Sequence, residues 1–167
     1  VEIHVTYLGG GFGRRAELDF VEKSAEVAAA MPGVPVQLSY TREEDMRYGM
    51  YRPTATSKFK AVVAADGTIS AWENKMALQS VMNNSMLRMM PSQAPKPKDD
   101  IMTIEGAAHL PYAMDYRKVA FGHLDVPVQV GNWRSVGSSQ NGWFTEAFMD
   151  ECATAAGQDP YLFRKST

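Results

Sequence analysis

The feature that most constrains this chain is a glycine-rich segment near its start, from Tyr7 to Arg15. Positions 9, 10, 11 and 13 are glycines, and two arginines follow at once. Backbone without Cβ atoms can adopt positive φ angles and lets a large group approach its amides. Such amides, placed just before a helix, suit an anion. The same residues also fit a plain strand-to-helix turn, so the segment alone leaves ligand binding open.

The segment does not fit the common nucleotide-binding motifs. A dinucleotide fingerprint, counted from Gly9 and Gly11, requires a glycine where Arg14 stands, and a P-loop requires Gly-Lys-Ser/Thr after its glycines. A phosphate bound here would therefore be held in another framework.

Composition is that of an ordinary globular protein. The chain has 167 residues, 45% hydrophobic and 22% charged, with a net charge of −2. The length and composition predict one domain over residues 1–167. The slightly negative net charge predicts no nucleic-acid partner. No apolar run approaches the roughly 20 residues of a membrane span. The single cysteine, Cys152, and three scattered histidines lack metal-ligand spacing, so no protein-ligated metal is expected.

Hydrophobic periodicity predicts an α+β fold with a mainly antiparallel sheet packed against helices. Alternating apolar residues predict strands at 2–8, 34–40, 54–65, 68–81 and 116–124, with a hairpin turn at Asp66-Gly67. Helices are expected at 16–30, 41–46, 101–108 and 141–156, and another after Asp159-Pro160. Cys152 falls on the apolar face of the 141–156 helix, which predicts a core residue rather than a reactive thiol.

Residues 82–100 interrupt this regular pattern. The segment combines four methionines with three prolines and is predicted to be an irregular insertion. Two interpretations remain open: a disordered insertion, or a methionine-rich surface that packs against another domain or a partner chain.

A second candidate binding loop lies between Pro127 and Gly142, rich in Gly, Ser and Asn and placed before a predicted helix. Two glycine-containing loops, each preceding a helix, would supply several free backbone amides to one anionic ligand.

Several motifs together resemble the molybdenum hydroxylases. These are Gly9-Gly10-Gly11-Phe12-Gly13-Arg14-Arg15, the run from Tyr40 to Met46, Arg52-Pro53, and the run from Val130 to Asn141. The nearest branch is similar to the large (beta) subunit of isoquinoline 1-oxidoreductase, within the xanthine oxidase and aldehyde oxidase superfamily. Such subunits are several times longer, so the resemblance implies an internal piece of one, inactive in isolation.

The resemblance implies a part of a molybdopterin-binding region. The whole enzyme would hydroxylate N-heterocycles or aldehydes, with water as the oxygen source. Its cofactor would be molybdenum held by molybdopterin, as the cytosine dinucleotide. Implied partners are the remainder of the large subunit and a small iron-sulfur subunit, because one cysteine is too few for the clusters. Relatives are often exported, which implies a periplasmic enzyme.

The resemblance also implies site residues. Gly10, Gly11, Phe12, Gly13 and Arg14 would approach the cofactor from one side. Trp133, Arg134 and Ser135 would approach it from the other, and Gln140 lies where the family often keeps an amide. Arg134 could alternatively be a structural arginine and Trp133 a core anchor. No catalytic residue is expected in this chain, because the family's base is a glutamate near the end of the large subunit.

Two departures concern the substrate. The arginine that the xanthine-specific branch uses ahead of its conserved proline corresponds to Tyr51 here, with Arg52 displaced by one residue. The xanthine-specific branch places a glutamate at a position that corresponds to Ala16 here, with Glu17 one residue late. A purine substrate is therefore not expected.

Two alternatives remain open on the sequence. In the first, the chain is a phosphate- or nucleotide-binding module that uses the glycine segment with Arg14 and Arg15. In the second, it is a non-catalytic interaction domain in which residues 82–100 contact the partner and the glycines only form turns.

Overall fold

The strands form one three-stranded sheet in the order β1-β2-β3. In the computed structural model, which describes residues 1–167, these are β1 (Ala55–Val63), β2 (Ile69–Leu78) and β3 (Tyr116–His123). β1 runs antiparallel to β2, whereas β2 runs parallel to β3. A short turn suffices for the first pairing, but a parallel partner requires a long crossover. The sheet is therefore mixed.

Helices make up most of the remaining regular structure. The α-helices are α1 (Asp19–Ala30), α2 (Arg42–Tyr48), α3 (Val81–Met89), α4 (Ser138–Ala155) and α5 (Pro160–Ser166). Short 3₁₀ turns span Arg14–Ala16, Pro91–Gln93, Pro97–Asp99 and Ile101–Ile104. The predicted α+β class is confirmed. None of the helices combines the length and the apolar character needed to cross a bilayer.

The hairpin turn predicted at Asp66-Gly67 is confirmed, and side-chain caps mark the starts of two helices. Gly67 in the β1–β2 hairpin has a φ of 93°, which glycine adopts without strain. The Thr41 hydroxyl caps α2 by accepting the N–H of Glu44 at 3.2 Å. The Asp159 carboxylate caps α5 by accepting the N–H groups of Tyr161 and Leu162, both at 3.0 Å. Each signal is local, so a short stretch of sequence suffices to specify it.

The main core lies where β2 meets α4 and α5. Its buried members are Ile69, Trp72, Met149, Cys152, Ala153 and Phe163. The Phe59 ring on β1 extends it, with its centroid 5.3 Å from that of Trp72. Burial raises the pKa of the Cys152 thiol to about 11, so the cysteine is a core residue as predicted. A smaller cluster of Met76, Leu78 and Ala107 packs against β3.

Two predicted strands are absent. Residues 2–8 and 34–40 alternate apolar and polar side chains, yet neither pairs with another segment of this chain. Val5 and Tyr7 are consequently exposed. Alternation identifies a chain that could cover a sheet, but a strand also needs a neighbour for its backbone hydrogen bonds.

The prediction that residues 82–100 are irregular is wrong for the first half of the segment. α3 occupies Val81–Met89, capped by the Ser80 hydroxyl, which accepts the Asn83 N–H at 3.1 Å. The prolines lie beyond the helix, at 91, 95 and 97, and they restrict only their own positions and the residue before each. The end of the segment is joined to the start of α3, because the Asp100 carboxylate accepts a hydrogen bond from the Ser80 hydroxyl at 2.7 Å.

Two other boundaries differ from prediction. The helix expected at 101–108 is reduced to the 3₁₀ turn Ile101–Ile104, and α4 begins at Ser138 rather than at residue 141. α4 thus starts within the second glycine-containing loop.

Phe163 provides a test of the core. Its side chain is fully buried, while the neighbouring Leu162 on the same short helix is 58% exposed. Phe163→Ala should lower the free energy of unfolding by about 3–5 kcal/mol, because it removes apolar contacts and leaves a cavity. Leu162→Ala should cost less than about 1 kcal/mol. Urea denaturation of the 167-residue polypeptide measures both, and equal losses would contradict this placement of α5.

Candidate functional site

The two glycine-containing loops meet. The N–H of Arg134 in the second loop donates to the Phe12 carbonyl in the first at 2.7 Å. At Gly13, an added Cβ would lie 2.7 Å from the Asn132 carbonyl oxygen and 2.9 Å from Trp133 Cα. Only a glycine allows backbones to approach this closely. The structure therefore brings both predicted segments together on one part of the surface.

Both loops adopt backbone conformations that are unusual for L-residues. Phe12 has a φ of 49°, and Gly13, which follows it, has a φ of 86°. Ser135 and Val136 have φ angles of 74° and 37°. Non-glycine residues in this region cost about 1–2 kcal/mol each. Strain of this kind concentrates at ligand-binding and catalytic sites, so its presence on both loops supports a functional role.

Most backbone donors of the two loops are unused within the protein. The N–H groups of Gly10, Gly11, Phe12 and Gly13 donate to no protein acceptor. In the second loop the N–H groups of Trp133 and Ser135 are likewise free, whereas that of Arg134 is used to join the loops. The convergent face therefore presents several hydrogen-bond donors to an external ligand.

The start of α4 adds further donors beside the second loop. The N–H groups of Gly137, Ser138 and Gln140 have no acceptor in the protein, as expected for the first turn of an 18-residue helix. The Gln140 Nε2 atom is buried and has no hydrogen-bond partner. A buried donor without a partner costs free energy unless a ligand or a water satisfies it.

The predicted site arginines differ in availability. Arg14 forms a two-pronged ion pair with Asp19, with both N–O distances 2.8 Å, and Arg14 holds the pKa of that carboxyl below its usual range. Arg134 is exposed and forms no ion pair within the chain. Its charge is available to an anion, whereas that of Arg14 is largely compensated.

Arg52 belongs to the same site and was not predicted as a site residue. One of its guanidinium nitrogens donates to the Arg134 carbonyl at 3.2 Å and also to the Ser139 hydroxyl. Like Arg134, it forms no ion pair. The only sequence signal was its place in the Arg52-Pro53 motif, which carries no information on its contacts.

Trp133 serves as an anchor for the second loop. Its indole Nε1–H donates to the Met50 carbonyl at 2.9 Å, and Tyr51 forms a parallel bridge with Val130. The side chain is thus committed to the protein, while its backbone N–H remains free.

An ion pair between buried Glu17 and partly buried Arg88 lies beneath the loops and was also missed. Glu17, only 2% exposed, accepts hydrogen bonds from Arg88 at 2.6 Å and from Ser85 at 2.7 Å. Glu17 fell in the predicted helix 16–30 and Arg88 in the segment 82–100 that was predicted to be irregular. Their pairing joins residues 71 positions apart, which no local pattern reveals.

Two open grooves of the chain lie away from the loops, and the one of about 570 Å³ is lined by residues within 110–117. An open groove of about 370 Å³ runs between β1 and α4, lined in part by Phe59 and Trp143, and includes none of the predicted site residues. No group of three or more His, Cys, Asp or Glu side chains is arranged to hold a metal ion. The two loops offer free backbone N–H groups and the unpaired Arg52 and Arg134 guanidinium groups, a combination that suits an anion.

Gly13 and Gly33 form a matched pair that tests the contact between the loops. Both have positive φ angles, 86° and 80°, but a Cβ at Gly33 meets nothing within 4 Å. Both alanine variants should lose about 1–2 kcal/mol from backbone strain. Gly13→Ala should lose at least about 1 kcal/mol more, because its Cβ pushes the loops apart. Chemical denaturation measures the difference, and equal losses would argue against the close approach.

Comparison with known proteins identifies the family of the chain. A family model described as the molybdopterin cofactor-binding domain matches residues 1–167. The solved structure of an aldehyde oxidoreductase from Desulfovibrio gigas superposes with a TM-score of 0.69 at 24% identity, over 94% of this chain and 16% of that one. At this identity the likeness shows the shared fold.

Curated relatives agree with the family. A membrane-bound aldehyde dehydrogenase (pyrroloquinoline-quinone) of Gluconacetobacter polyoxogenes is 30% identical over 94% of this chain. The xanthine dehydrogenase molybdenum-binding subunit of Escherichia coli O157:H7 is 25% identical over 98%. A nicotinate dehydrogenase subunit of Pseudomonas putida is 23% identical over 98%.

The chain spans 21%, 21% and 14% of the lengths of these three relatives. The predicted resemblance is confirmed, and neither the nucleotide-module nor the interaction-domain alternative finds support. Because the family model covers residues 1–167, the chain belongs to the family of molybdopterin cofactor-binding domains.

Proposed function

We propose that the convergent face of the two loops binds the pterin dinucleotide form of the molybdenum cofactor. The observation that carries this proposal is the meeting of two loops whose N–H groups, at Gly10 to Gly13 and at Trp133 and Ser135, have no acceptor within the protein. A pterin dinucleotide is long, anionic at its pyrophosphate and rich in polar edges, and it needs donors from more than one direction.

The residues present fit such a ligand. Gly10, Gly11, Phe12 and Gly13 offer backbone donors on one side, and Trp133 and Ser135 offer them on the other. Arg134 brings an uncompensated charge, and a planar guanidinium suits phosphate oxygens. The buried Gln140 amide nitrogen without a partner is satisfied if the ligand supplies an acceptor. Arg14, paired with Asp19, contributes chiefly by fixing the start of α1.

In this proposal residues 1–167 act as one domain of a larger oxidoreductase. The bound cofactor would supply the redox chemistry, hydroxylating an N-heterocycle or an aldehyde with oxygen from water. The chain itself binds and orients the cofactor. The catalytic base lies outside these residues, so the 167-residue polypeptide alone is inert.

The finer details follow the family. We infer the cytosine dinucleotide as the cofactor form, iron-sulfur clusters on a partner subunit, and a periplasmic location. Two relatives are named as subunits, which supports a multi-subunit assembly. One relative is named as membrane-bound.

Arginine substitutions test the proposed binding face. In the full-length protein, Arg134→Ala should weaken cofactor retention about 10- to 100-fold, the effect of losing a charge-assisted hydrogen bond of about 1.5–3 kcal/mol. Arg117→Ala, which removes another exposed arginine, on β3, should leave retention unchanged. Molybdenum analysis and fluorescence of the oxidised pterin, both per mole of protein, measure retention.

Absence of molybdenum and pterin from the wild-type protein would overturn the proposed function. Equal retention by the Arg134 and Arg117 variants would instead remove only the role given to Arg134. Acid hydrolysis that releases a nucleotide other than cytidine monophosphate would correct the cofactor form alone.

Activity of the isolated polypeptide provides a separate test. Purified residues 1–167 should show no turnover of N-heterocycles or aldehydes with an artificial electron acceptor, whereas the full-length enzyme should turn over at least one of them. Any turnover by the isolated chain would contradict the placement of the base outside it.

A further inference from the structure

Glu17 is a buried carboxylate placed directly after the glycine segment. It follows the 3₁₀ turn Arg14–Ala16 and is 2% exposed. One carboxylate oxygen accepts from Arg88 Nη2 at 2.6 Å and from the Ser85 hydroxyl at 2.7 Å, and the other accepts from Arg88 Nε at 3.2 Å. Both oxygens are thus occupied by groups on α3.

The same two α3 side chains reach the second loop. Arg88 Nη2 donates to the Val130 carbonyl at 2.8 Å. The Asn132 side-chain amide donates to the Ser85 hydroxyl at 3.1 Å. α3 therefore connects the residue that ends the first loop with the residues that begin the second.

Close packing leaves this connection little freedom. A Cβ added at Gly131 would lie 2.8 Å from the Glu17 carboxylate and 2.6 Å from Met50 Cβ. Buried charges require their partners, since removal of one leaves the other uncompensated in a poorly hydrated site. The ion pair is thus a fixed distance constraint between the two loops.

We propose that Glu17 and Arg88 are positioning residues that set the separation of the two cofactor-binding loops. This inference rests on the proposed function for its consequence, cofactor retention. The geometric part, that the pair holds the loops in register, stands on the contacts alone. Neither residue contacts the ligand in this proposal, because the carboxylate is buried and fully engaged by α3.

The pair acts through the hydrogen bond that joins the loops. If the link through α3 is lost, the second loop can move relative to the first, and the Arg134 N–H to Phe12 carbonyl hydrogen bond loses its geometry. The free amides of the two loops would then no longer face one ligand together. Outer-shell partners of metal-ligating residues contribute about 10- to 100-fold to metal affinity, and we expect an effect of the same order here.

The test uses Glu17→Gln in the full-length protein, because glutamine keeps the shape and removes the charge. The matched control is Glu146→Gln, which removes the charge from another ion pair, between α4 and Arg164 of α5, away from the loops. Two quantities are measured: the hydrogen-exchange rate of the Arg134 amide in cofactor-free protein, and the rate at which the loaded protein loses molybdopterin.

Glu17→Gln should speed exchange of the Arg134 amide and loss of the cofactor, each by about tenfold or more. Glu146→Gln should change neither. An unchanged Arg134 exchange rate in Glu17→Gln would overturn the proposal, and so would equal changes in both variants, which would indicate general destabilisation.

A second variant tests the same proposal if Glu17→Gln fails to fold. Arg88→Lys keeps the positive charge but loses the planar fork that contacts both Glu17 and Val130. It should also speed Arg134 exchange, and no effect would overturn the proposal. If the wild-type protein holds no molybdopterin, the proposed function fails, while the exchange measurement still decides whether the pair positions the loops.

Discussion

The site depends on one backbone hydrogen bond, from the Arg134 N–H to the Phe12 carbonyl at 2.7 Å. It forms only because Gly13 lacks a Cβ and so admits the backbone of Asn132 and Trp133. Phe12, which accepts this hydrogen bond, and Ser135, which follows its donor, both have positive φ angles. The two segments are therefore one structural unit, although more than a hundred residues separate them in the sequence.

The unused amides are consistent with that unit being a binding surface rather than a turn. In helices and sheets the backbone satisfies its own donors, whereas these loops leave theirs on largely exposed residues. Here the hydrogen-bonding groups that hold the loops are largely side chains beneath them: Trp133 on the Met50 carbonyl, and Arg88 and Ser85 on Glu17. Supporting the loops from below leaves the N–H groups of their outer face free for a ligand.

The sequence predicted what short-range rules control. The hairpin at Asp66-Gly67, the caps at Thr41 and Asp159, and the period-2 burial of β2 all depend on neighbouring residues. The strands expected at 2–8 and 34–40 failed because pairing requires a partner that periodicity cannot supply. The Glu17–Arg88 pair was invisible for the same reason, since both residues look like ordinary surface charges until α3 is placed.

Arginine shows the same limit within the site itself. Arg14 stands inside the glycine motif and looks like the natural anion ligand, yet Asp19, five residues on, engages both ends of its guanidinium. Arg52 and Arg134 have no such partner. The Arg52 guanidinium donates to the Arg134 carbonyl, although the two residues are 82 positions apart in the sequence. Whether an arginine can bind a phosphate depends on which carboxylates the fold brings to it. For this reason charge count and motif position singled out the two loops but could not rank the arginines within them.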